Sequence, residues 1–219
     1  MKFTKDDIRR GMTLYAVTDR SWLGERTLAQ VVEQVLRGGA TFLQLREKEL
    51  DRAAFLAEAK ELKALAAKYR VPFVINDDID IALESDADGV HLGQTDLMGR
   101  DARALIGPDK ILGITANTVE LAVAAEKAGA DYIGAGAVFG TTTKQNAKNL
   151  SLDTLRDICR AVTIPVVAIG GINGDNLPRL AGTGVAGAAV VSALFAQKDP
   201  EEAARRLRAL AEKMVTAHG

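Results

Sequence analysis

Residues 41–76 read TFLQLREKELDRAAFLAEAKELKALAAKYRVPFVIN, and this stretch contains a complete strand–helix–strand unit. The runs at 41–45 and 72–76 are short and rich in apolar and β-branched residues, which predicts two strands. Between them, apolar side chains recur at helical spacing over 51–69, with Asp51 as the expected N-cap. Because the apolar strands lack polar alternation, we expect both of their faces to be covered, as in a parallel sheet packed under helices.

The same alternation continues along the whole chain. Further strands are predicted at about 13–17, 88–92, 110–115, 131–135, 165–169 and 187–191. Further helices are predicted at 117–128, capped by Asn117, and at 199–214, with weaker helical patterns at 25–37, 78–85, 100–106, 150–160 and 174–181. Eight strands alternating with helices predict one (β/α)8 TIM barrel domain over residues 1–219. A doubly wound sheet is the alternative, but no Gly-x-Gly-x-x-Gly turn follows the first strand.

Composition narrows the possible partners. The 219 residues carry 28 Lys and Arg against 29 Asp and Glu, and this net charge of -1 argues against nucleic acid as the main partner. A single cysteine, Cys159, excludes a disulfide framework and a Cys-rich zinc site. No apolar run approaches the roughly 18 residues that span a bilayer, and the first residues do not resemble a secretory signal. We therefore expect a cytoplasmic protein with neither a membrane nor a nucleic-acid partner.

In such a barrel, function is expected where the strands end at their carboxyl side. Arg46 and Lys48 follow the second strand two residues apart, so both can point the same way and bind a phosphate or pyrophosphate. A solvated charge cluster is the alternative interpretation of this pair. Asn76 lies at the end of the third strand, and Asp78 just beyond it is the expected cap of the next helix.

Two aspartates are predicted to lie at neighbouring strand ends. Asp77 follows the third strand and Asp96 follows the fourth, and adjacent strands lie about 4.8 Å apart. The two carboxylates could therefore hold one Mg2+ together with phosphate oxygens of a ligand. Taken singly, each aspartate is better explained as a cap or turn residue, so the prediction depends on their coincidence. His91, near the end of the fourth strand, is expected to be buried or to support a site residue rather than to act on substrate directly.

Two anion sites are predicted, one built around Mg2+ by the loops after the second, third and sixth strands, and the other built by the loops after the seventh and eighth strands. Three threonines and a lysine, Thr141 to Lys144, follow the sixth strand in an anion-friendly loop that is not a Walker A motif. Gly170 and Gly171 follow the seventh strand, and Ser192 begins a short helix after the eighth, a pairing typical of barrel phosphate sites. Two anion sites with a metal between them suit the joining of two phosphorylated small molecules, with metal-bound pyrophosphate as the leaving group.

Seven segments resemble the thiamine-phosphate synthase family in order and spacing over roughly residues 13–215. They are YAVTD at 15–19, QLREK at 44–48, ND at 76–77, GVHLGQTD at 89–96, FGTTTK at 139–144, IGGI at 169–172 and VS at 191–192. The resemblance implies condensation of hydroxymethylpyrimidine diphosphate with thiazole phosphate, which yields thiamine phosphate and pyrophosphate. It also implies Mg2+ as the cofactor.

The resemblance implies a role for each matching residue. The metal ligands would be Asp77 and Asp96. The pyrimidine diphosphate would be held by Gln44, Leu45, Arg46, Glu47, Lys48, Asn76, Thr115 and Lys144. The thiazole phosphate would be held by Thr141, Thr142, Thr143, Gly171, Val191 and Ser192. Among these, the cations Arg46, Lys48 and Lys144 would act catalytically, because they stabilise the departing pyrophosphate.

Two positions depart from the family pattern. Thr115 stands where the family usually has Ser, which keeps the hydroxyl, and Gly140 stands where it usually has Pro.

Three other functions remain open. The alternatives are the related thiazole tautomerase or regulator branch, a sugar-phosphate isomerase or epimerase, and a non-catalytic phosphate-binding module. The retained carboxylate pair and cations favour the synthase. A homo-oligomer is possible.

Overall fold

The computed structural model describes residues 3–96, 101–140 and 149–216. Eight parallel strands close into a barrel in chain order, with β1 completing the circle against β8, so the predicted (β/α)8 barrel is confirmed. Tyr15 of β1 lies opposite Phe42 on one side and Ala189 on the other. The strands are β1 Leu14–Val17, β2 Phe42–Leu45, β3 Phe73–Asn76, β4 Gly89–Leu92, β5 Ile111–Thr115, β6 Tyr132–Ala135, β7 Val166–Ile169 and β8 Gly187–Val190.

Helices surround the barrel. They are α1 Lys5–Gly11, α2 Leu28–Arg37, α3 Arg52–Tyr69, α4 Ile79–Glu84, α5 Ala102–Ile106, α6 Val119–Lys127, α7 Leu152–Ala161, α8 Ser192–Phe195 and α9 Pro200–Thr216. The helix predicted at 174–181 is only a 3-10 turn at Leu177–Leu180, where Pro178 lacks the N–H that a longer helix needs. Within the described ranges, none of the helices combines the length and the apolar character needed to cross a membrane.

Helix caps follow the sequence with one exception. Asp51 and Asp78 cap α3 and α4 as predicted, accepting hydrogen bonds from the backbone N–H groups of Ala54 and Ile81. The predicted cap of α6 is wrong. Thr118 is the N-cap, while the side-chain oxygen of Asn117 accepts a hydrogen bond from the N–H of Gly136 at 2.9 Å. Asn117 is thereby used to join the loops after β5 and β6.

The core has two layers. The larger one lies between strands and helices, and the smaller one fills the barrel interior. In the interior, Tyr15, Phe42 and Tyr132 pack with ring centroids 4.5 to 5.9 Å apart in tilted or edge-to-face contacts. A Cβ on Gly113 of β5 would collide with the Tyr132 ring, so glycine there makes room for the aromatic cluster. These residues form the floor on which the polar groups at the strand ends rest.

Candidate active site

The loops after β2 and β3 are joined by an ion pair. Asp77 directly follows β3 in a left-handed conformation, with φ of 66°, and its N–H donates to the carbonyl of His91 at 2.8 Å. Its carboxylate accepts a hydrogen bond from Lys48 Nζ at 2.6 Å. Asn76, the last residue of β3, pairs in register with His91. The predicted anion-binding lysine and the predicted metal ligand are therefore direct neighbours.

The carboxylates of Asp77 and Asp96 interact electrostatically. Burial raises the pKa of Asp96, and the charge of Asp77 raises it further, although Asp96 also accepts a hydrogen bond from the N–H of Gly93 at 2.7 Å. Burial opposes ionisation of Asp77 too, but Lys48 outweighs it and lowers the pKa of that carboxyl. A divalent cation between the two groups would relieve their repulsion.

The number of ligands limits what such a cation could be. Within the described ranges, no group of three or more His, Cys, Asp or Glu side chains is placed to hold a metal ion. Asp77 and Asp96 supply only carboxylate oxygens, which suit Mg2+, and Mg2+ commonly takes its remaining ligands from substrate phosphates and water. The donor set therefore fits a magnesium ion that binds together with a phosphorylated ligand.

The loop after β2 is held in shape by Glu47. One carboxylate oxygen accepts backbone N–H bonds from Lys48, Glu49 and Leu50 at 2.6, 2.6 and 3.2 Å. The other accepts from Arg20 Nε at 2.6 Å. The Glu47 side chain is only 3% exposed, so its carboxylate stabilises the loop and is not available to a ligand. By fixing the loop backbone it also positions Lys48 at the site.

Gln44, Leu45 and Arg46 belong to the same segment but differ in whether a ligand could reach their side chains. Leu45 is fully buried against the helices, and Gln44 is buried in the barrel interior. Arg46 is partly exposed, and its backbone N–H donates to the Thr18 hydroxyl at 2.9 Å. A cavity of about 290 Å³ beside this loop is lined by Asp19, Arg20, Ser21, Trp22, Arg46, Glu47, Lys48 and Glu49. Arg46 and Lys48 are therefore the cations of this segment that a ligand could reach.

A chain of hydrogen bonds crosses the barrel interior. Gln44 Nε2 donates to the Tyr15 hydroxyl at 2.6 Å, and that hydroxyl lies 2.7 Å from the Tyr132 hydroxyl. His91 Nδ1 lies 2.9 Å from the Tyr132 hydroxyl, and His91 Nε2 lies 2.9 Å from Thr115 Oγ1. Tyr132 is not among the site residues predicted from the sequence. The feature that could have indicated Tyr132 is its phenol hydroxyl, since the other residues of β6 are small or apolar and have no polar side chain.

The loops after β7 and β8 lie side by side at the predicted second anion site. Gly170 and Gly171 have φ of 102° and 64°, and a Cβ on Gly171 would collide with the Gly140 carbonyl. Val191 and Ser192 stand where β8 passes into α8. The predicted ligand residues Thr141, Thr142, Thr143 and Lys144 lie outside the described residues.

The sequence model of the family described as thiamine monophosphate synthase matches residues 14–194. The chain belongs to this family. The match spans every strand of the barrel and reaches into α8, so it includes the strand ends that carry the candidate site. The resemblance seen in the sequence is thereby confirmed, and the chain is an enzyme of a transferase family.

Known members of the family match over nearly their whole length. The thiamine-phosphate synthase of Ruminiclostridium cellulolyticum is 52% identical over 195 residues, which cover 89% of this chain and 93% of that protein. The thiamine-phosphate synthase of Clostridium tetani is 47% identical with the same coverage. The solved structure of thiamine phosphate pyrophosphorylase from Pyrococcus furiosus superposes with a TM-score of 0.86 at 40% identity, covering 94% of this chain and 98% of that one.

Proposed function

We propose that the protein condenses hydroxymethylpyrimidine diphosphate with thiazole phosphate, releasing pyrophosphate and forming thiamine phosphate. Family membership supports the reaction, and the cluster of Lys48, Asp77 and Asp96 is the observation that carries the mechanism. A cation and two carboxylates at adjacent strand ends suit a leaving diphosphate that carries a metal. Both substrates are small phosphorylated molecules, and we place the reaction in the cytoplasm.

The mechanism is a dissociative displacement. The bond between the pyrimidine methylene carbon and the diphosphate oxygen breaks first, and the electron-rich aminopyrimidine stabilises the resulting cation. Arg46 and Lys48 bind the departing pyrophosphate as its negative charge grows, with Lys144 proposed to join them. Mg2+ bound to Asp77 and Asp96 would supply further charge neutralisation on the diphosphate. The thiazole nitrogen then forms the new bond to carbon, and no protein nucleophile takes part.

The second substrate is proposed to bind across the barrel mouth. Gly171, Val191 and Ser192 border one phosphate site on the β7 and β8 side, and the threonines 141–143 are proposed to complete it. Backbone N–H groups at such loops bind phosphate without a side-chain charge. Two separate anion sites let the thiazole be oriented before the diphosphate leaves, which converts the attack into an intramolecular step.

The decisive experiment measures pyrophosphate release. The protein is incubated with both substrates and Mg2+, with EDTA in a parallel reaction and with each substrate omitted in turn. We expect release only when both substrates and metal are present. Asp96→Asn should lower kcat by about 100-fold or more, while Asp157→Asn on the exposed face of α7 serves as the matched control and should retain wild-type activity.

Three outcomes would contradict the proposal. Full turnover in EDTA would exclude the metal assignment. Conversion of one phosphorylated substrate alone, without pyrophosphate, would indicate an isomerase or a tautomerase. Binding of a phosphorylated ligand without any turnover would indicate a binding module.

Light scattering on the same preparation measures whether the protein forms a homo-oligomer.

A further inference from the structure

Five polar side chains form one continuous hydrogen-bonded chain through the barrel. It runs from Gln44 through Tyr15, Tyr132 and His91 to Thr115, with each link between 2.6 and 2.9 Å. Tyr15 and Tyr132 are completely buried, and burial raises the pKa of both phenols, so both remain neutral and each has a single proton to donate. The chain begins in the interior and ends at a residue on the open side of the barrel.

Counting donors sets the direction of this chain. Gln44 Nε2 donates to the Tyr15 oxygen, so the Tyr15 proton must go to Tyr132. The Tyr132 proton then has His91 Nδ1 as its acceptor, so Nδ1 carries no proton and the ring proton lies on Nε2. In the opposite direction the Tyr15 oxygen would accept twice, and its own buried proton would have no partner, which is unfavourable.

The last link fixes the role of the Thr115 hydroxyl. His91 Nε2–H donates to Thr115 Oγ1, so the threonine oxygen is an acceptor towards the interior. Its own proton is then directed to another group, and within the described ranges no second partner of this hydroxyl is present. The Thr115 carbonyl is already used, since it accepts a hydrogen bond from Gln94 at 2.6 Å.

Two glycines make the stacked His91 and Tyr132 rings possible. The rings lie 5.5 Å apart with an interplanar angle of 28°. A Cβ on Gly113 would collide with the Tyr132 ring, and a Cβ on Gly134 would lie 3.0 Å from His91 Cε1. Gly113 on β5 leaves space for the Tyr132 ring and Gly134 on β6 leaves space for the His91 ring, so the backbone of these two strands fixes how the rings stack.

We propose that Tyr132 holds His91 as its Nε2–H tautomer, so that the Thr115 hydroxyl is kept as a hydrogen-bond donor towards the bound ligand. Tyr132 and His91 are positioning residues, because they act through Thr115 and do not themselves touch the substrate. That the ligand group is an oxygen of the pyrimidine diphosphate rests on the proposed function. The tautomer itself does not.

The tautomer can be measured directly, because the chain has only two histidines, His91 and His218. The protein is labelled with 15N-histidine, and His218→Gln assigns the remaining ring signals to His91. At neutral pH we expect a proton on Nε2 and none on Nδ1. A proton on Nδ1, either in the other tautomer or in an imidazolium ring, would overturn the proposal, whether or not the protein has the proposed activity.

Two phenylalanine substitutions separate positioning from packing. Tyr132→Phe removes the phenol that accepts and relays the proton, and we expect His91 to become a mixture of tautomers. Tyr15→Phe is the matched control, because His91 Nδ1 then remains the acceptor for the Tyr132 proton among the residues that the structure describes, and we expect the Nε2–H tautomer to persist.

Kinetics then tests the consequence for the ligand. Tyr132→Phe should lower kcat/KM for the pyrimidine diphosphate by about tenfold, the value of one hydrogen bond, with an unchanged KM for thiazole phosphate. Thr115→Val should abolish the difference between Tyr132→Phe and wild type, while Thr115→Ser should preserve it. Equal kcat/KM for Tyr132→Phe and wild type would refute the positioning role. If wild type releases no pyrophosphate, the proposed function fails, and the NMR result still decides the tautomer.

Discussion

Replacement of Glu47 by glutamine tests whether a buried carboxylate shapes the diphosphate loop. The wild-type side chain accepts four hydrogen bonds, three from consecutive backbone N–H groups and one from Arg20. The glutamine amide would place an NH2 group against one of these donors and remove the charge that strengthens all of them. Arg20 would keep its contact with Glu58 at 3.0 Å, so it would not be left unpaired.

The expected magnitude follows from these contacts. Hydrogen bonds to a charged group contribute about 1.5–3 kcal/mol each, and at least one would be lost while the others weaken. We therefore expect the free energy of unfolding to fall by about 3 kcal/mol, which for a domain of this size lowers Tm by about 6–12 °C. Because the loop also presents Lys48, KM for the pyrimidine diphosphate should rise more than KM for thiazole phosphate.

The effect should depend on pH in a defined direction. Burial tends to raise the pKa of Glu47, but the backbone hydrogen bond from Glu49, the Arg20 bond and the other N–H groups outweigh it and lower the pKa. The stabilisation is therefore complete above the ordinary glutamate pKa of about 4.3 and is lost as pH falls through the lower folded value. The stability difference between wild type and Glu47→Gln should shrink below about pH 4.

Urea unfolding of wild type and Glu47→Gln at about pH 7 and about pH 3.5, together with steady-state kinetics, provides the assay. Glu49→Gln is the matched control, because Glu49 is an exposed residue of the same loop. We expect this variant to unfold at the same urea concentration as wild type. A loss below about 0.5 kcal/mol for Glu47→Gln, or an equal loss for both variants, would refute the reasoning.

Three other substitutions test the barrel around the site. Gly113→Ala should cost about 3 kcal/mol of stability, because its Cβ would overlap the Tyr132 ring; near wild-type urea unfolding would contradict this. Gly171→Ala should raise KM for thiazole phosphate by about tenfold or more, since its positive φ and the collision with a backbone carbonyl force the loop to move; steady-state kinetics checks it. Arg103→Ala should lower the free energy of unfolding by about 3 kcal/mol with kcat unchanged, because the guanidinium binds three backbone carbonyls and Asp131 at a distance from the candidate site.

Part of the candidate site was predictable because strand ends are local features of the sequence and a (β/α)8 barrel places consecutive strands side by side. Once the strand after residue 72 and the strand after residue 88 are recognised, Asp77 and Asp96 must emerge at neighbouring positions of a parallel barrel. The contact of Lys48 with Asp77 was not predicted, since it depends on a left-handed turn at a non-glycine residue. The helix cap at Thr118 shows the same limit, because Asn117 is equally suited to a cap but is used between loops instead.

The sequence alone determined the barrel, because eight short apolar runs alternate with helical stripes and no Gly-x-Gly-x-x-Gly turn follows the first strand. Only the tertiary structure decided how the buried polar groups are paired. Tyr15 and Tyr132 are separated by 117 residues, and Glu47 contacts Arg20 from a different loop. Such pairs form when barrel closure brings strands or loops from different parts of the chain together, and the pattern of residues along the chain contains no measure of the distance between them.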